Sequence, residues 1–355
     1  MFRRLSFITT ILALLTFSSC ETKFTLNGDY ERIPVVFGLL DQNESAHYIK
    51  ITRTFLGDGN NYDFAQVADS SYFNQVDAQI IELDNGIETR RWQLHDTLIP
   101  NKESGTFYGP EQKIYVFYAN DLDETMEYRI EADLDEGTYN IDATTKLIEN
   151  FSLSFLIYTQ GFTFSFGSPS SSETGKYTSF VSSYTEGENA ALYNPKINIK
   201  YRETYSDGSS SDIVIPWSKG NVEQDRPESP SIKTLNFSGE EFYTLLESSI
   251  AVDANVIKRE LLGLDLIIAI AHTEFAKYME ISQPSSSITQ STPQYTNVNS
   301  NTSALGLFSS RQIVTVSDLQ ISSGSFEELC TGQYTSQLGF CSSLPEHSGK
   351  SFYCD

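Results

Sequence analysis

The sequence is poor in histidine, and motifs typical of catalysis are missing. Its 355 residues include 4 histidines, and none of them lies in a His-Glu-x-x-His motif or in a ligand pair at helical spacing. The motifs Gly-x-Ser-x-Gly and Gly-x-Gly-x-x-Gly and the phosphate-loop lysine motif do not occur either. We therefore predict no catalytic residues, no metal and no cofactor, and we expect a protein that is not an enzyme.

Positive charge is scarce as well. Only 24 Lys and Arg stand against 47 Asp and Glu, which gives a net charge of −23. Nucleic acids and anionic lipid headgroups require a basic face, so neither is expected as a partner. Acidic clusters at 41–45 and 133–137 could offer oxygen ligands to calcium. In the second, Thr144 stands where an EF-hand loop has its bidentate acid, and we interpret both clusters as solvated turns.

Long hydrophobic runs are missing from most of the chain. The most apolar late stretch, residues 261–271, has about 11 residues and contains Asp265, whereas a membrane-spanning helix needs about 20. An equally short run at 5–17 follows Arg3 and Arg4. A charged start, a short apolar run and small residues after it are typical of a secretory signal.

The end of this signal resembles a bacterial lipobox. Phe17-Ser18-Ser19 precedes Cys20, and in a lipobox the cysteine thiol receives a diacylglycerol and becomes the mature N-terminus. Phe17 departs from the leucine that the pattern prefers. The resemblance implies that residues 1–19 are removed, that Cys20 is lipidated and that residues 20–30 form a tether to a membrane, since two acyl chains give stable anchoring. A secreted protein with an incidental Cys20 and an uncleaved anchor are the alternatives.

The remaining cysteines are few and lie close together near the C-terminus. They are Cys330, Cys341 and Cys354. An oxidising, exported setting permits one disulfide and one leftover thiol. Cys330 with Cys341 and Cys341 with Cys354 are both candidate pairs, and the spacing does not choose between them.

Strand patterns dominate the first part of the chain. Apolar and polar residues alternate with a period of two, and turn residues separate the runs, which lie at 33–40, 47–55, 78–83, 89–94, 113–118 and 127–132. Residues 62–74 interrupt them as a short helical or irregular excursion. This pattern predicts an immunoglobulin-like β-sandwich over residues 31–147.

Residues 148–355 are predicted to form a second β-rich domain with one or two short helices. Ser238 is a candidate N-cap for a helix near 238–250, and a second helix is expected at 272–282. A hairpin is expected from strands at 196–205 and 211–217. A single strand is expected at 262–271, and two separate strands are expected at 304–308 and 312–320. Residues 283–303 are rich in Ser, Thr, Asn and Pro, which predicts a long exposed loop. The fold class is therefore mainly β.

Two further patterns suggest contact or modification. Phe162, Phe164 and Phe166 alternate, so they share one face, and they are candidates for ligand contact, although a place in the core is the favoured interpretation. The loops 167–175, 185–195 and 283–303 are candidate recognition loops. Asp96-Thr97-Leu98 resembles the O-glycosylation sequon of Bacteroidota, which makes Thr97 a candidate glycan site.

Two separate stretches carry a family resemblance. The first is VVFGLLDQNESAHYIKITRTFLG (35–57), with an apolar strand ending in Gly38, a polar turn at 41–45, and a strand ending in Arg53 and the aromatic Phe55. TNVNSNTSALGLFSSR (296–311) has Asn297 followed by the Gly306–Phe308 step. Together with Cys20, these features resemble a Bacteroidota lipoprotein family known as domain of unknown function 4249.

The resemblance implies an outer-membrane lipoprotein encoded beside a TonB-dependent receptor. It leads us to expect a non-enzymatic accessory or ligand-capture subunit that works with this β-barrel partner and is displayed on the cell surface, with the periplasmic face left open. A structural subunit of an assembly, secretion or adhesion complex is the alternative. A glycan hydrolase is a weaker one, because it needs two convergent carboxylates about 5–10 Å apart.

Overall fold

A computed structural model describes residues 32–56, 60–100, 102–154, 157, 161–224, 230–282 and 295–354. The expected signal peptide, Cys20, the tether and most of the Ser/Thr-rich loop lie outside these ranges. The protein is mainly β, with 49% of the described residues in strands and 17% in helices. Within the described ranges, no helix is both long enough and apolar enough to cross a membrane.

The strands alternate with a few short helices. In chain order the strands are β1 Pro34–Leu40, β2 Ala46–Arg53, β3 Val76–Asp84, β4 Ile87–Gln93, β5 His95–Ile99, β6 Gln112–Tyr118, β7 Glu127–Leu134, β8 Tyr139–Lys146, β9 Ser152–Leu153, β10 Thr163–Phe164, β11 Ser179–Thr185, β12 Ala190–Tyr205, β13 Ser210–Ser218, β14 Val222–Glu223, β15 Ile232–Ser238, β16 Val256–His272, β17 Asn299–Ser300, β18 Leu305–Ile321 and β19 Phe340–Cys341. The helices are α1 Asn61–Ala65, α2 Ala68–Ser71, α3 Pro169–Thr174, α4 Gly239–Ser249, α5 Thr273–Ile281 and α6 Ser323–Thr331. Single 3₁₀ turns span Ser336–Leu338 and Pro345–His347.

The strands form one large sheet and two smaller ones. The large sheet has 11 strands and runs β13-β12-β16-β18-β1-β2-β6-β5, with β10, β14 and β19 attached at its sides. A second sheet has the order β17-β8-β7-β3-β4, and a third has the order β15-β11-β9. Strands from residues 31–147 and from residues 148–355 therefore share one sheet.

The apolar side chains separate into two buried clusters. In the first, side chains of β1, β2 and β6 pack against side chains of β3, β7 and β8, so two sheets enclose a sandwich core. In the second, β12 and β16 pack against the third sheet and α4. Strand β18 contributes Phe308 to the first cluster and Leu319 to the second, and it joins the two.

Several local predictions are confirmed. Helix α4 begins after Ser238, whose hydroxyl accepts a hydrogen bond from the Glu241 N–H at 3.5 Å. Helix α5 begins after His272, and its ring nitrogen Nδ1 accepts from the Glu274 N–H at 3.1 Å. The β12–β13 hairpin and the β1–β2 hairpin form in antiparallel register as expected.

Other local predictions are wrong. Residues 305–308 and 312–320 belong to one continuous strand, β18, because the two serines between them, Ser309 and Ser310, are buried. The Ser310 hydroxyl donates to the Lys146 carbonyl at 2.6 Å. Helices α3 and α6 were not predicted. Residues 167–175 contain α3, and residues 190–195 belong to β12, so these parts are not the open loops expected.

Candidate ligand-binding site

The face of the large sheet that points away from the sandwich core carries the candidate site. On β1 and β2, Val36, Ile49 and Ile51 are buried in the core. Because side chains alternate along a strand, Phe37 and Lys50 project from the opposite face. They are direct partners in the β1–β2 register, so their side chains stand side by side.

A pocket of about 420 Å³ lies on this face, and we call it the basic pocket. Its floor is formed by β1, β2 and the first residue of β6. Its walls are formed by the chain after β2, the end of α2 and the loop 102–110. Its lining residues are Val35, Phe37, Lys50, Thr52, Arg53, Thr54, Phe55, Ser71, Tyr72, Lys102, Phe107, Tyr108 and Gln112.

Hydrogen bonds hold the wall of the basic pocket in place. The Lys102 ammonium donates to the Phe107 carbonyl at 3.0 Å and to the Tyr108 carbonyl at 2.6 Å, which closes the loop on itself. The Tyr108 N–H donates to the Ala65 carbonyl at 2.8 Å, which ties the loop to α1. The loop is therefore positioned by its own contacts and does not need a ligand to take this shape.

Among the described residues, the lining of the basic pocket has three cations and no carboxylate, in a chain whose net charge is −23. Within the described ranges no carboxylate forms an ion pair with Lys50, Arg53 or Lys102. Burial and the nearby Lys102 charge lower the pKa of Lys50. The pocket is therefore a local positive region on an acidic protein.

Arg53 is fixed at one side of this pocket. Its Nη2 donates to the Asp69 carbonyl at 2.8 Å, its Nε donates to the Ser70 carbonyl at 3.3 Å, and its guanidinium lies 5.9 Å from the Phe73 ring centre. Its Nη1 is buried and has no hydrogen-bond partner in the described part of the chain. A buried donor without an acceptor is costly, so an acceptor at this position would stabilise the site.

A second pocket of about 320 Å³ lies on the same face and shares Phe37 with the first. Helix α5 covers it, and the Tyr278 ring packs edge-on against Phe37 with centroids 5.7 Å apart. Asp41 lines it and is buried, which raises the pKa of Asp41, and its Oδ2 lies 3.7 Å from the Arg311 Nε. This second pocket therefore contains charges of both signs, unlike the basic pocket.

A third and larger pocket, of about 620 Å³, lies on the open face of the five-stranded sheet near the acidic cluster 133–137. Here the Asp133 carboxylate accepts from the Gly137 N–H, and the Asp135 carboxylate accepts from the Asn74 N–H at 2.9 Å. These oxygens stabilise turns between strands, in agreement with the interpretation of this cluster as a solvated turn. The three metal-ligating side chains found close together among described residues are Glu260, Cys341 and Cys354, and both cysteines are oxidised.

The proposed aromatic contact residues lie in the core. Phe164 and Phe166 have no exposed surface, and their rings stack at 5.5 Å between centroids, while Phe162 is partly buried against them. The favoured interpretation of this row as core is confirmed for Phe164 and Phe166, and their alternative role as ligand contacts is wrong, because α4 and the third sheet cover them. The Phe166 ring also stacks on Phe242 of α4 at 4.5 Å.

The cysteine pairing is now decided. Cys341 and Cys354 form the disulfide, and Cys330 is a buried free thiol, so the candidate pair Cys330–Cys341 is wrong. Cys330 belongs to α6, whose apolar face packs into the second core, so its thiol is buried among apolar side chains. Thr97 lies in β5, the last strand at one end of the large sheet, and is partly exposed.

A serine–histidine contact near the C-terminus was not predicted. The Ser323 hydroxyl lies 2.8 Å from the His347 Nε2, and the His347 Nδ1 lies 2.8 Å from the Ser342 hydroxyl. His347 is buried, both of its ring nitrogens have partners, and the third group is a hydroxyl instead of a carboxylate. None of the three pockets includes these residues, so the contact is best explained as a satisfied structural histidine.

The residues of the basic pocket were not recognised in the sequence. Alternation along β2 places Tyr48, Lys50 and Thr52 on the face opposite to Ile49 and Ile51. The sequence pattern therefore predicts which face of the sheet carries Lys50. The pattern does not predict that Lys102, Phe107 and Tyr108 lie beside β1 and β2, because their position depends on how a loop packs against α1.

The two stretches that carry the family resemblance meet in space. Strands β1 and β18 pair in parallel, with Gly38 opposite Phe308. The Asn297 side chain donates to the Phe308 carbonyl at 2.7 Å and accepts from the Phe308 N–H at 3.0 Å. These residues thus have a structural role. A comparison of this chain with family models and with curated proteins found no match.

Proposed function

We propose that this protein is a non-enzymatic, lipid-anchored subunit that captures a ligand at the outer membrane and works with a TonB-dependent β-barrel receptor. The basic pocket is the observation that supports ligand capture most directly. It has a volume in the range of small-molecule sites, it contains aromatic and charged groups together, and hydrogen bonds tie its wall to α1 above the sheet.

The sequence supports the anchor and the partner. The lipobox-like segment before Cys20 supports lipidation, and the resemblance to domain of unknown function 4249 supports a TonB-dependent partner and display on the cell surface. The packing of two sheets around one core supports the immunoglobulin-like sandwich that we propose for residues 31–147. A structural subunit of an outer-membrane complex is the second candidate, since the large acidic surface would serve it equally well.

Anchoring can be tested at a single residue. Cys20→Ala should abolish palmitate labelling and release the chain from the membrane fraction, whereas Cys330→Ala, which removes another unpaired thiol, should change neither. Retention of the acyl label in Cys20→Ala would overturn the anchor. Protease treatment of intact cells then reports the membrane face, and resistance of the intact cells would favour the periplasmic side.

The partner can be tested by mild affinity purification. Ligand capture predicts that a β-barrel receptor co-purifies and that deletion of the gene impairs the uptake of one nutrient. Co-purification without any β-barrel protein would contradict the proposed partnership. A general loss of outer-membrane proteins after depletion would instead support the structural alternative.

A further inference from the structure

We propose that the basic pocket binds a small organic anion in which an acidic oxygen group, such as a carboxylate or sulfonate, is attached to a flat apolar body. The geometry that points to this class is the placement of Lys50, Arg53 and Lys102 around a cavity whose other walls are aromatic. The inference rests on the ligand-capture function proposed above and specifies the chemistry of that ligand.

The charges require an anion. Lys50 and Lys102 repel each other, and within the described ranges Lys50 has neither a hydrogen bond nor an ion pair. Among the residues that the structure describes, no acceptor lies at the buried Arg53 Nη1. The Lys102 ammonium already donates to two backbone carbonyls, so an acidic oxygen group would chiefly supply an acceptor to Lys50 and offset the repulsion between the two ammonium groups, beside the charge of Arg53. Charge-assisted hydrogen bonds of this kind are the strong ones.

The rest of the lining requires a flat apolar body. Phe37 has 37% of its surface exposed and Phe107 has 57%, although both are large apolar side chains. Tyr72 is held in place because its hydroxyl accepts from the Lys113 N–H at 3.0 Å. Rings arranged in this way offer faces and edges on which a planar group can stack.

The size of the cavity and the charge of the whole protein favour a small molecule over an acidic macromolecule. A volume of about 420 Å³ suits a ligand of one to three fused or linked rings. With a net charge of −23, the surrounding surface repels a polyanion such as a nucleic acid. A compact monoanion experiences this repulsion least and can enter the pocket.

The test uses a pair of dyes that differ in charge. The full chain carrying Cys20→Ala, which alters no described residue, is titrated with 8-anilinonaphthalene-1-sulfonate and with its uncharged analogue N-phenyl-1-naphthylamine, and fluorescence is measured. We expect saturable binding of one sulfonate dye per chain, with an affinity at least about tenfold above that of the neutral dye.

Variants locate the binding. Lys50→Gln should weaken the binding of the sulfonate dye roughly tenfold and leave the binding of the neutral dye unchanged. Lys50→Arg should restore most of the affinity. Lys176→Gln is the matched control, because Lys176 is exposed and outside the pocket while the change in net charge is identical.

The outcomes separate this inference from the proposed function. Three results would each overturn the proposal that the pocket binds an organic anion. They are no saturable dye binding by the folded protein, equal affinity for both dyes, and equal effects of Lys50→Gln and Lys176→Gln on dye binding. The partnership with a receptor is tested by co-purification alone. If the pocket selects the anionic dye but no β-barrel protein co-purifies, the proposed partnership is refuted and the proposed ligand class still stands.

Discussion

Gly306 determines how closely the two resemblance stretches approach each other. Its φ is +115°, and a Cβ atom there would lie 1.8 Å from the Val36 carbonyl oxygen on β1. No residue with a side chain can occupy that space or adopt that backbone conformation without strain. Gly306 is therefore needed for the parallel pairing of β1 with β18, and β1 forms the floor of the basic pocket.

Gly306→Ala should destabilise the protein by at least about 3 kcal/mol, because β18 must move away from β1. Thermal unfolding measures this. Gly208→Ala is the control. Gly208 also has a positive φ, of +85°, but it lies in a hairpin turn with open space around it. This substitution should lower the stability by only about 1 kcal/mol. Equal losses in both variants would show that φ alone matters and that the contact with Val36 does not.

His272 makes stability depend on pH. Burial lowers the pKa of His272 to about 4, whereas in the unfolded chain it titrates near 6.5. The unfolded chain therefore binds a proton over this interval while the folded protein does not. Stability should fall as the pH decreases from about 6.5 to about 4, by at most on the order of 3 kcal/mol.

Denaturant unfolding at a series of pH values tests this. His272→Asn should flatten the pH dependence over that interval, because asparagine does not titrate and is still able to cap α5. The exposed His95→Asn is the matched control and should leave the slope unchanged. An unchanged slope in His272→Asn would assign the pH dependence to other groups.

At the scale of elements, the C-terminal segment depends on its disulfide. Cys341 belongs to β19, which pairs in parallel with β16, and Cys354 is 13 residues further on. The bond closes the loop that contains His347 and Phe352, whose rings contact each other with centroids 5.1 Å apart. It therefore joins the end of the chain to a central strand of the large sheet.

Replacing both Cys341 and Cys354 by serine should cost about 3 kcal/mol, as expected for a loop of this length. Peptide mapping should find these two cysteines linked. The Cys330 thiol should react with a thiol reagent only after unfolding, since burial raises its pKa to about 12. A Cys330–Cys341 peptide, or labelling of Cys330 in the folded protein, would contradict this arrangement.

At the scale of the whole molecule, one strand links the two hydrophobic cores. The first half of β18 pairs with β1, and its second half pairs with β16. Val298 and Phe308 belong to the first core although they come late in the chain. The first core is therefore complete only when the C-terminal half of the chain is present.

We expect residues 32–147 expressed alone to unfold without a cooperative transition, because β1 loses its parallel partner β18 and the core loses Phe308. Co-expression with residues 148–355 should restore cooperativity, and circular dichroism during heating measures both cases. A sharp thermal transition of 32–147 alone would show that the sandwich is independent of β18.

Local chemistry accounts for what could be predicted. The alternation in 33–40 and 47–55 yields a hairpin because one face of each strand must be buried, and Ser238 starts a helix because its hydroxyl satisfies a free N–H group. Helix α6 was not predicted because its residues Ser323–Thr331 include one glycine and three serines or threonines, which weaken the helical pattern. Tertiary packing overrides that local preference, since Phe326 and Leu329 are buried in the second core.

The sequence by itself determined the mainly β class, the main hairpins, the capped helices and the acidic character of the surface. These depend on residues close together in the chain and on composition. Only the tertiary structure decided that β18 continues past Ser309 and Ser310, that Cys341 pairs with Cys354, and that Lys50, Arg53 and Lys102 surround one pocket. Each of these contacts joins residues from different elements, and a period of two or 3.6 residues carries no information about which distant elements will meet.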